Sequence, residues 1–161
     1  MENILTPKSC EIIDIVKETD KEWTFRIDSD VVPEHGQFLE LSLPKVGEAP
    51  ISVSGFGPGY LDFTIRAVGK VTDEIFKLKP GDKISLRGAY GKGWPVEQFK
   101  NKNVIIVAGG TGVAPVRSLI NKFYDEPNYV ETLSLVFGFK NSEGILFKND
   151  LDSCLLYTSD A

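Results

Sequence analysis

Short segments that alternate apolar and polar residues fill the first half of the chain. In each of them every second side chain is apolar and can face a core, which is typical of a half-buried β-strand. Glycine and proline separate the segments, as turns require. Many short strands of this kind predict an antiparallel β-barrel or sandwich. The segments are residues 22–28, 37–43, 60–68 and 83–87.

One short helix is predicted inside this β region, before a tight turn at residues 79–82. Thr72 or Asp73 is a suitable N-cap, because a side-chain oxygen there can accept a hydrogen bond from a first-turn N–H. The apolar side of this helix would consist of Ile75, Phe76 and Leu78.

The pattern changes at residue 104, where a continuous apolar run begins. Residues 104–108 are rich in β-branched side chains, which predicts a parallel strand covered on both faces. A helix follows, with Pro115 in its first turn, where a missing N–H costs nothing. Its buried face recurs with helical spacing at Val116, Leu119, Ile120 and Phe123.

A turn of Gly109, Gly110, Thr111 and Gly112 joins this strand to this helix. Glycine lets the backbone turn sharply and lets a ligand approach closely. Free N–H groups and the positive end of the helix dipole favour a phosphate at such a place. The turn departs from the usual dinucleotide fingerprint, because Pro115 replaces the third glycine and no acidic residue ends the next strand. An ordinary βα turn is the alternative.

Composition narrows the function classes. The chain has 161 residues, 42% of them hydrophobic, and a formal net charge of −5, so it can form one good core or two small ones. An acidic chain without a Lys/Arg cluster argues against nucleic acid as a partner. No apolar run reaches membrane-spanning length, and the N-terminus lacks the pattern of a signal peptide.

The cysteines indicate a cytoplasmic protein. Cys10 and Cys154 lie far apart and form no C-x-x-C pair, which favours a reducing compartment and free thiols. Cys10 begins an apolar strand and is predicted to be a buried core thiol. No set of residues has the spacing of metal ligands, so no metal site is predicted.

The two patterns together predict two domains. A polar connector, residues 97–103, separates the β region from the apolar strand, and we place the boundary near Gln98. Residues 1–98 would form the barrel and residues 99–161 an incomplete α/β domain with a parallel sheet. A β-barrel followed by a nucleotide-type α/β unit suggests an enzyme with one cofactor in each domain.

Four blocks carry a resemblance to the ferredoxin–NADP reductase superfamily, and within it to the flavin-carrying electron-transfer subunits of the anaerobic sulfite reductases. The resemblance implies a flavin-binding Greek-key barrel followed by a pyridine-nucleotide domain. Any one block is weak, but the four occur in the order and spacing of the family. They are residues 36–54, 65–72, 86–95 and 107–115.

The resemblance places the flavin ring along Ala49, Pro50, Ile51 and Ser52. In the family the serine hydroxyl of this block lies near the reactive ring nitrogen. Ser52 suits that role because a hydroxyl can both donate and accept a hydrogen bond. Ala49 and Ile51 depart from the arginine and the stacking tyrosine of many relatives, so the flavin phosphates need another cation.

Arg66 is the candidate for this cation. It lies between Ile65 and Ala67, just before a block that matches the phosphate turn of the family. Backbone N–H groups of that turn, and the hydroxyl of Thr72, could hold a phosphate. A solvated charge on an exposed strand is the alternative for Arg66. The implied contacts of the turn itself are Gly69, Val71 and Thr72.

In the second domain the resemblance assigns nicotinamide-nucleotide contacts to the glycine turn and to the end of the next strand. Gly91 and Gly93 are either a loop beside the flavin or plain turn glycines. His35 is predicted to be a turn residue without a catalytic role, because hydride transfer to a flavin needs no protein base. The implied nucleotide contacts are Gly109, Gly110, Thr111, Gly112, Pro115 and Gly138.

The function implied is that of an electron-transfer subunit. It would pass a hydride from NADH or NADPH to FAD, and then single electrons to an iron–sulfur partner and a catalytic reductase subunit. The alternatives are the electron-transfer subunit of a dihydroorotate dehydrogenase, a hydrogenase gamma subunit, or a docking fragment without catalysis. No contact with nucleic acid or span of a membrane is expected.

The resemblance ends near Leu151, after a predicted second helix over residues 144–151. We expect that the full-length protein is longer, that its missing part carries a [2Fe–2S] cysteine cluster, and that residues 153–161 are not native. The chain as it stands would then bind flavin but react poorly with NADH.

Overall fold

The computed structural model describes residues 5–155, with side chains up to residue 152. The expectation that residues 153–161 are not native therefore concerns side chains outside the described residues. No helix of the described part is long and apolar enough to cross a membrane.

Six antiparallel strands close into a barrel, as predicted. Around the barrel they follow the order β1-β2-β5-β4-β3-β6, and β6 pairs with β1 to close it. Strands β3, β4 and β5 are consecutive neighbours, whereas β2 pairs with β5 and β6 returns between β1 and β3, which is a Greek-key path. The strands are β1 (Lys8–Lys17), β2 (Glu22–Asp28), β3 (Phe38–Leu43), β4 (Gly47–Gly57), β5 (Tyr60–Arg66) and β6 (Lys83–Tyr90).

The alternating side chains fill the barrel. On β5 the inward positions Leu61, Phe63 and Ile65 are almost completely buried, as alternation predicts. The same alternation predicts an inward Ala67, but β5 ends at Arg66 and Ala67 is exposed. The other fully buried apolar residues of this core include Ile12, Phe25, Ile27, Leu39 and Leu41.

Cys10 is only partly buried, contrary to the prediction of a core thiol. It lies on β1 opposite Ile84 of β6 and packs at the margin of the barrel core. Burial nevertheless raises the pKa of the Cys10 thiol, so the thiolate is disfavoured at neutral pH.

The short helix α1 (Lys70–Ile75) begins earlier than predicted. Its N-cap is Gly69, and Thr72 is the third residue after that cap. The Thr72 hydroxyl accepts hydrogen bonds from the N–H groups of Val68 and Gly69 at 2.9 and 3.1 Å. Thr72 therefore supports the helix start from inside the first turn, and neither it nor Asp73 is the N-cap.

The second unit is a two-stranded parallel sheet with α2 packed on one face. In β7 (Asn103–Gly109), Val104 and Ile106 are buried against Leu119 and Phe123 of α2. The sheet has no cover on its other face among the described residues, where Ile105, Val107 and Val136 are 68%, 73% and 55% exposed. The prediction of a strand covered on both faces is therefore wrong here. The remaining elements are α2 (Ala114–Asp125), β8 (Thr132–Gly138) and α3 (Lys148–Leu155).

The predicted boundary at Gln98 falls within a single 3₁₀ turn, Val96–Phe99. Val96 and Phe99 pack against the core formed by β7, β8 and α2. The second core thus includes Val96, which lies before the predicted boundary. The predicted second helix, residues 144–151, is replaced by a short 3₁₀ turn, Ser142–Gly144, and by α3, which begins at Lys148.

The uneven cover of β7 generates a stability prediction. Ile106→Ala, at a position 8% exposed, should lower the free energy of unfolding by about 2–5 kcal/mol, because it leaves a cavity against α2. Ile105→Ala is the matched control, since Ile105 is 68% exposed, and its loss should stay below about 1 kcal/mol. Equal losses in urea unfolding would show that both faces of β7 are covered in solution.

Candidate functional site

Ser52 lies on the outer surface of the barrel with an unused hydroxyl. It is half-buried on β4 and pairs with Phe38 of β3. The ring of Phe38 lies 5.9 Å from that of Tyr90 on β6. Within the described part of the chain, the Ser52 hydroxyl makes no hydrogen bond. A half-exposed hydroxyl beside two aromatic rings is suited to a flat polar ligand.

The other residues of the block 49–52 differ in how far their side chains are exposed to a ligand. Pro50 is exposed, and Ala49 is half-buried. Ile51 packs partly against the barrel core, so its side chain faces mainly inward. Only Pro50 and Ser52 therefore turn their side chains to the outer surface.

The turn at the start of α1 lies close to β4. A Cβ atom added to Gly47 would approach Val71 to 3.3 Å, so the two predicted flavin blocks meet. Among the described residues, nothing beyond its chain neighbours lies within 4 Å of a Cβ added to Gly69, which leaves room for a ligand. The Thr72 hydroxyl is already used within the turn, since it also donates to the Gly69 carbonyl at 3.0 Å. What the turn can offer a phosphate is its first-turn N–H groups, which lack intrahelical partners.

Arg66 is already engaged. Its guanidinium binds the carboxylate of Glu22, the residue opposite it on β2. The Glu22 side chain is 5% exposed, whereas that of Arg66 is 44% exposed. Glu22 also accepts a hydrogen bond from the Thr19 hydroxyl. Arg66 thus neutralises a buried carboxylate, and only its exposed edge remains for a phosphate. The neighbouring Ile65 is 1% exposed and can offer a ligand only its backbone.

The glycine turn leaves open space at the carboxyl ends of β7 and β8. Gly110 has a φ of +52°, a left-handed conformation that favours glycine. In the described part of the chain, no atom beyond the adjoining residues lies within 4 Å of a Cβ added to Gly110, Gly112 or Gly138. A Cβ on Gly109 would meet the Gly138 carbonyl at 3.4 Å, because the two strand ends are neighbours. The half-buried Thr111 completes the turn, and Pro115 lies in the first turn of α2, as predicted.

Trp94 brings the glycine turn to the Ser52 side of the barrel. Its indole N–H donates to the Pro115 carbonyl of α2 at 3.2 Å. The ring also lies over Gly36, where an added Cβ would come within 2.6 Å of the indole Cδ1. Gly36 lies two residues before Phe38, the partner of Ser52. Through Trp94, the start of α2 therefore lies near the point where Phe38 of β3 pairs with Ser52 of β4. Sequence reasoning assigned no such role to Trp94.

The backbone and the packing of the loop that carries Trp94 explain why glycine occurs at residues 91 and 93. Gly91 has a φ of +85°, and a side chain at Gly93 would collide with Glu34. The interpretation as plain turn glycines therefore has direct support, and proximity to a flavin remains a prediction.

His35 lies in a turn, as predicted, and also in the contact between the barrel and α2. Its ring lies 4.9 Å from that of Phe56, and its buried Nδ1 has no hydrogen-bond partner among the described residues. Burial, with a smaller contribution from the positive charge of Lys122, lowers the pKa of His35. The residue is thus held in its neutral form.

Charged residues that sequence reasoning missed join the barrel to both helices of the second unit. Asp62 on β5 is bound by Arg26 through two hydrogen bonds of 2.8 and 2.9 Å. Arg117 of α2 lies 3.6 Å from the same carboxylate and binds Asp150 of α3. No local sequence pattern marks this cluster, since it is formed by residues from four separate elements.

The chain is similar to known oxidoreductases in sequence and in fold. Residues 106–159 match the family model of the oxidoreductase NAD-binding domain, which covers the end of β7, the glycine turn and the whole of β8. The match runs to residue 159, beyond Leu151, where the resemblance read from the sequence ended. The barrel and α/β unit together superimpose on a ferredoxin–NADP+ reductase from Plasmodium falciparum with a TM-score of 0.83 and 22% identity, over 94% of this chain and 66% of that one.

The chain has the fold of the ferredoxin–NADP+ reductases. It is 33% identical over 143 residues to the sulfhydrogenase 1 subunit gamma of Pyrococcus furiosus, covering 84% of this chain and 49% of that protein. It is 31% identical over 147 residues to a probable dihydroorotate dehydrogenase B electron transfer subunit of Methanocella arvoryzae, covering 90% of this chain and 53% of that protein. The chain spans about half the length of these relatives.

The pairing of Arg66 generates one prediction. Arg66→Ala should lower the free energy of unfolding by about 1–3 kcal/mol, because it leaves the Glu22 carboxylate buried without its cation. The exposure of Arg66 keeps this loss below that of a fully buried pair. Thermal or urea unfolding measures it. The double variant Glu22→Gln/Arg66→Ala should recover part of the loss, and no recovery would contradict the explanation.

His35 generates a pH prediction, and as the only histidine in the chain it gives a clean signal. The folded pKa is lowered, so the unfolded chain binds the proton more readily. Stability should therefore fall as the pH drops below the ordinary value of 6.5, with a slope of at most about 1.4 kcal/mol per pH unit. Unfolding between pH 7.5 and 5.5 should show this slope in the parent, and a smaller one in His35→Gln. An identical slope in both would assign the effect to other groups.

Proposed function

We propose that the protein is an electron-transfer flavoprotein that takes a hydride from NADH or NADPH onto FAD and passes electrons to a partner. When bound, a flavin accepts two electrons together and releases them singly, which no side chain can do. The observation that carries the proposal is the contact of Trp94 with both Gly36 and Pro115. It brings the open glycine turn towards the middle of β4, where the Ser52 hydroxyl has no hydrogen-bond partner among the described residues.

The barrel residues fit a flavin. Ser52 would hydrogen-bond the polar ring edge beside Phe38 and Tyr90, and Pro50 would line the same surface. The open space at Gly69 and the free N–H groups of residues 70–72 suit the phosphates. Ile65 and Ala67 would contribute backbone only, while Val71 holds the turn against β4. Arg66 would add charge from its exposed edge.

The glycine turn fits a nicotinamide nucleotide. Gly110, Gly112 and Gly138 leave space in which a side chain would otherwise stand. Gly109 and Thr111 shape the turn, and Pro115 starts the helix whose positive end faces a phosphate. In this arrangement the protein contributes orientation, because Trp94 and α2 hold the nucleotide turn against the barrel.

The relatives support one type of partner over another. Their names are those of a hydrogenase gamma subunit and of electron-transfer subunits of dihydroorotate dehydrogenase. We therefore propose a subunit of one of these two types, and not of the anaerobic sulfite reductase that the sequence first suggested. Its catalytic partner, and an iron–sulfur centre that receives the electrons, would lie outside this chain.

The experiment that tests the proposal is flavin reconstitution of the purified chain. A yellow protein that retains FAD on gel filtration is expected, and a colourless one would overturn the flavin assignment. Anaerobic mixing with NADH should then bleach the flavin band only slowly, because the bare sheet face leaves the glycine turn poorly supported. Rapid bleaching would show that the two strands suffice. A yellow protein that never reacts with NADH would favour the docking alternative.

Ser52→Ala tests the role of the hydroxyl. It should retain FAD but slow reduction by NADH by about twofold to tenfold, the equivalent of one hydrogen bond worth about 0.5–1.5 kcal/mol. Ser42→Ala is the matched control, since Ser42 is also half-buried and lies on the neighbouring strand β3. Loss of FAD from Ser52→Ala, with no change in the control, would make Ser52 a binding residue only.

A further inference from the structure

One guanidinium contacts three elements of the molecule. Arg117 lies in the first turn of α2, five residues after Gly112 of the glycine turn. Its Nη1 lies 3.6 Å from Asp62 of the barrel, and its Nε and Nη2 donate to Asp150 of α3 at 2.9 and 2.6 Å. The guanidinium also stacks over Phe147, 4.4 Å from the ring centroid. The Arg117 side chain is only 17% exposed, so its contact with the buried Asp62 is sheltered from water, whereas Asp150 is 43% exposed.

The barrel side of this contact is held rigidly. The Asp62 side chain is 4% exposed, and Arg26 binds both of its oxygens. Arg26 is itself packed over the ring of Tyr60 at 4.1 Å. Two arginines and two aspartates balance in charge, so the cluster carries no net charge. Bidentate arginine–carboxylate pairs fix direction as well as distance.

The backbone of β4 leaves no room beside this contact. A Cβ added to Gly55 would lie 2.9 Å from Oδ2 of Asp62 and 3.4 Å from Nη1 of Arg117. Gly55 lies at an irregularity in the pairing of β4 with β5. Since Ser52 lies only three residues before it, α2 approaches the strand that carries Ser52.

We propose that Arg117 is a positioning residue, which fixes the α/β unit against the barrel and so sets the separation of the glycine turn from Ser52. This separation matters for hydride transfer only if the proposed function holds. Contacts between domains are by default mobile, and exposed ion pairs contribute little. Arg117 differs because its barrel partner is buried and already oriented. A small misplacement of two reacting groups is costly for their reaction.

The test measures the orientation of the two units directly. Spin labels are attached to cysteines placed at Lys79 of the barrel and Asn128 after α2, both exposed, with Cys10 and Cys154 replaced by serine. Distances between the labels are recorded by pulsed electron paramagnetic resonance on the whole chain, well below its melting temperature. A role in stability alone would lower the melting temperature without changing these distances.

Arg117→Met should broaden the distance distribution by about twofold, because it removes the contact between the units. Arg117→Lys, which keeps the charge but not the fork, should lie between it and the parent. Lys83→Met is the matched control: Lys83 is also an ion-paired cation, but it pairs with Glu11 of the barrel itself at 2.8 Å. Its distribution should equal that of the parent. An unchanged distribution in folded Arg117→Met would overturn the proposal.

If Arg117→Met does not fold, Gly55→Ala carries the same test. The added methyl group displaces Asp62 or Arg117 without removing a charge, and should shift or broaden the distribution. A folded Gly55→Ala protein with the parent distribution would equally overturn the proposal. None of these measurements requires flavin or nucleotide, so a chain that fails to bind FAD still reports on Arg117.

Discussion

The outer face of three barrel strands carries polar side chains that are buried, and the rest of the structure depends on their being paired. Ser54, Thr64 and Thr24 are all at most 7% exposed. Their hydroxyls form a chain in which Thr64 lies 2.8 Å from Ser54 and 2.9 Å from Thr24. The chain ends at the carboxylate of Glu18, which accepts from Thr24 at 2.7 Å. Unpaired polar groups at this depth would cost more than the contact gains, so α2 can pack on β4 because these hydroxyls already satisfy one another.

This constraint links the two halves of the candidate site. The barrel alone presents Ser52 and the start of α1, and the α/β unit alone presents an open glycine turn. Neither half positions the other. The paired polar face, together with Trp94 and Arg117, gives the two halves a common frame. A hydride donor and its acceptor require such a frame more than they require any acid or base.

Local pattern was sufficient to predict four of the six barrel strands, β2, β3, β5 and β6, and the reason is visible in the barrel. Alternation on β5 follows the side-chain period of a half-buried strand, so the sequence alone predicts that Leu61, Phe63 and Ile65 face the core. The closed Greek-key path followed from family resemblance. The pairing of Arg66 with Glu22 could not be predicted, because it depends on the register of β2 against β5. The same holds for Arg117 and Asp62, which meet only after two separate units have packed. Thr72 has the right residue type for a cap, but Gly69, without a side-chain oxygen, occupies the cap position.

The sheet of β7 and β8 consists of two strands that rely on a single helix. Two strands alone are marginal in water, and in the described residues α2 is the element that buries their inner face. Loss of α2 would therefore take both strands with it, whereas the barrel closes its own hydrogen bonds in a ring. The molecule accordingly has a hierarchy of local stability, in which the two units open at different free energies. Amide protons of β2 and β5 would exchange last, and those of β7 and β8 early. The end that we propose for the nucleotide is thus the softer part of the protein, while the end proposed for the flavin is the more stable part.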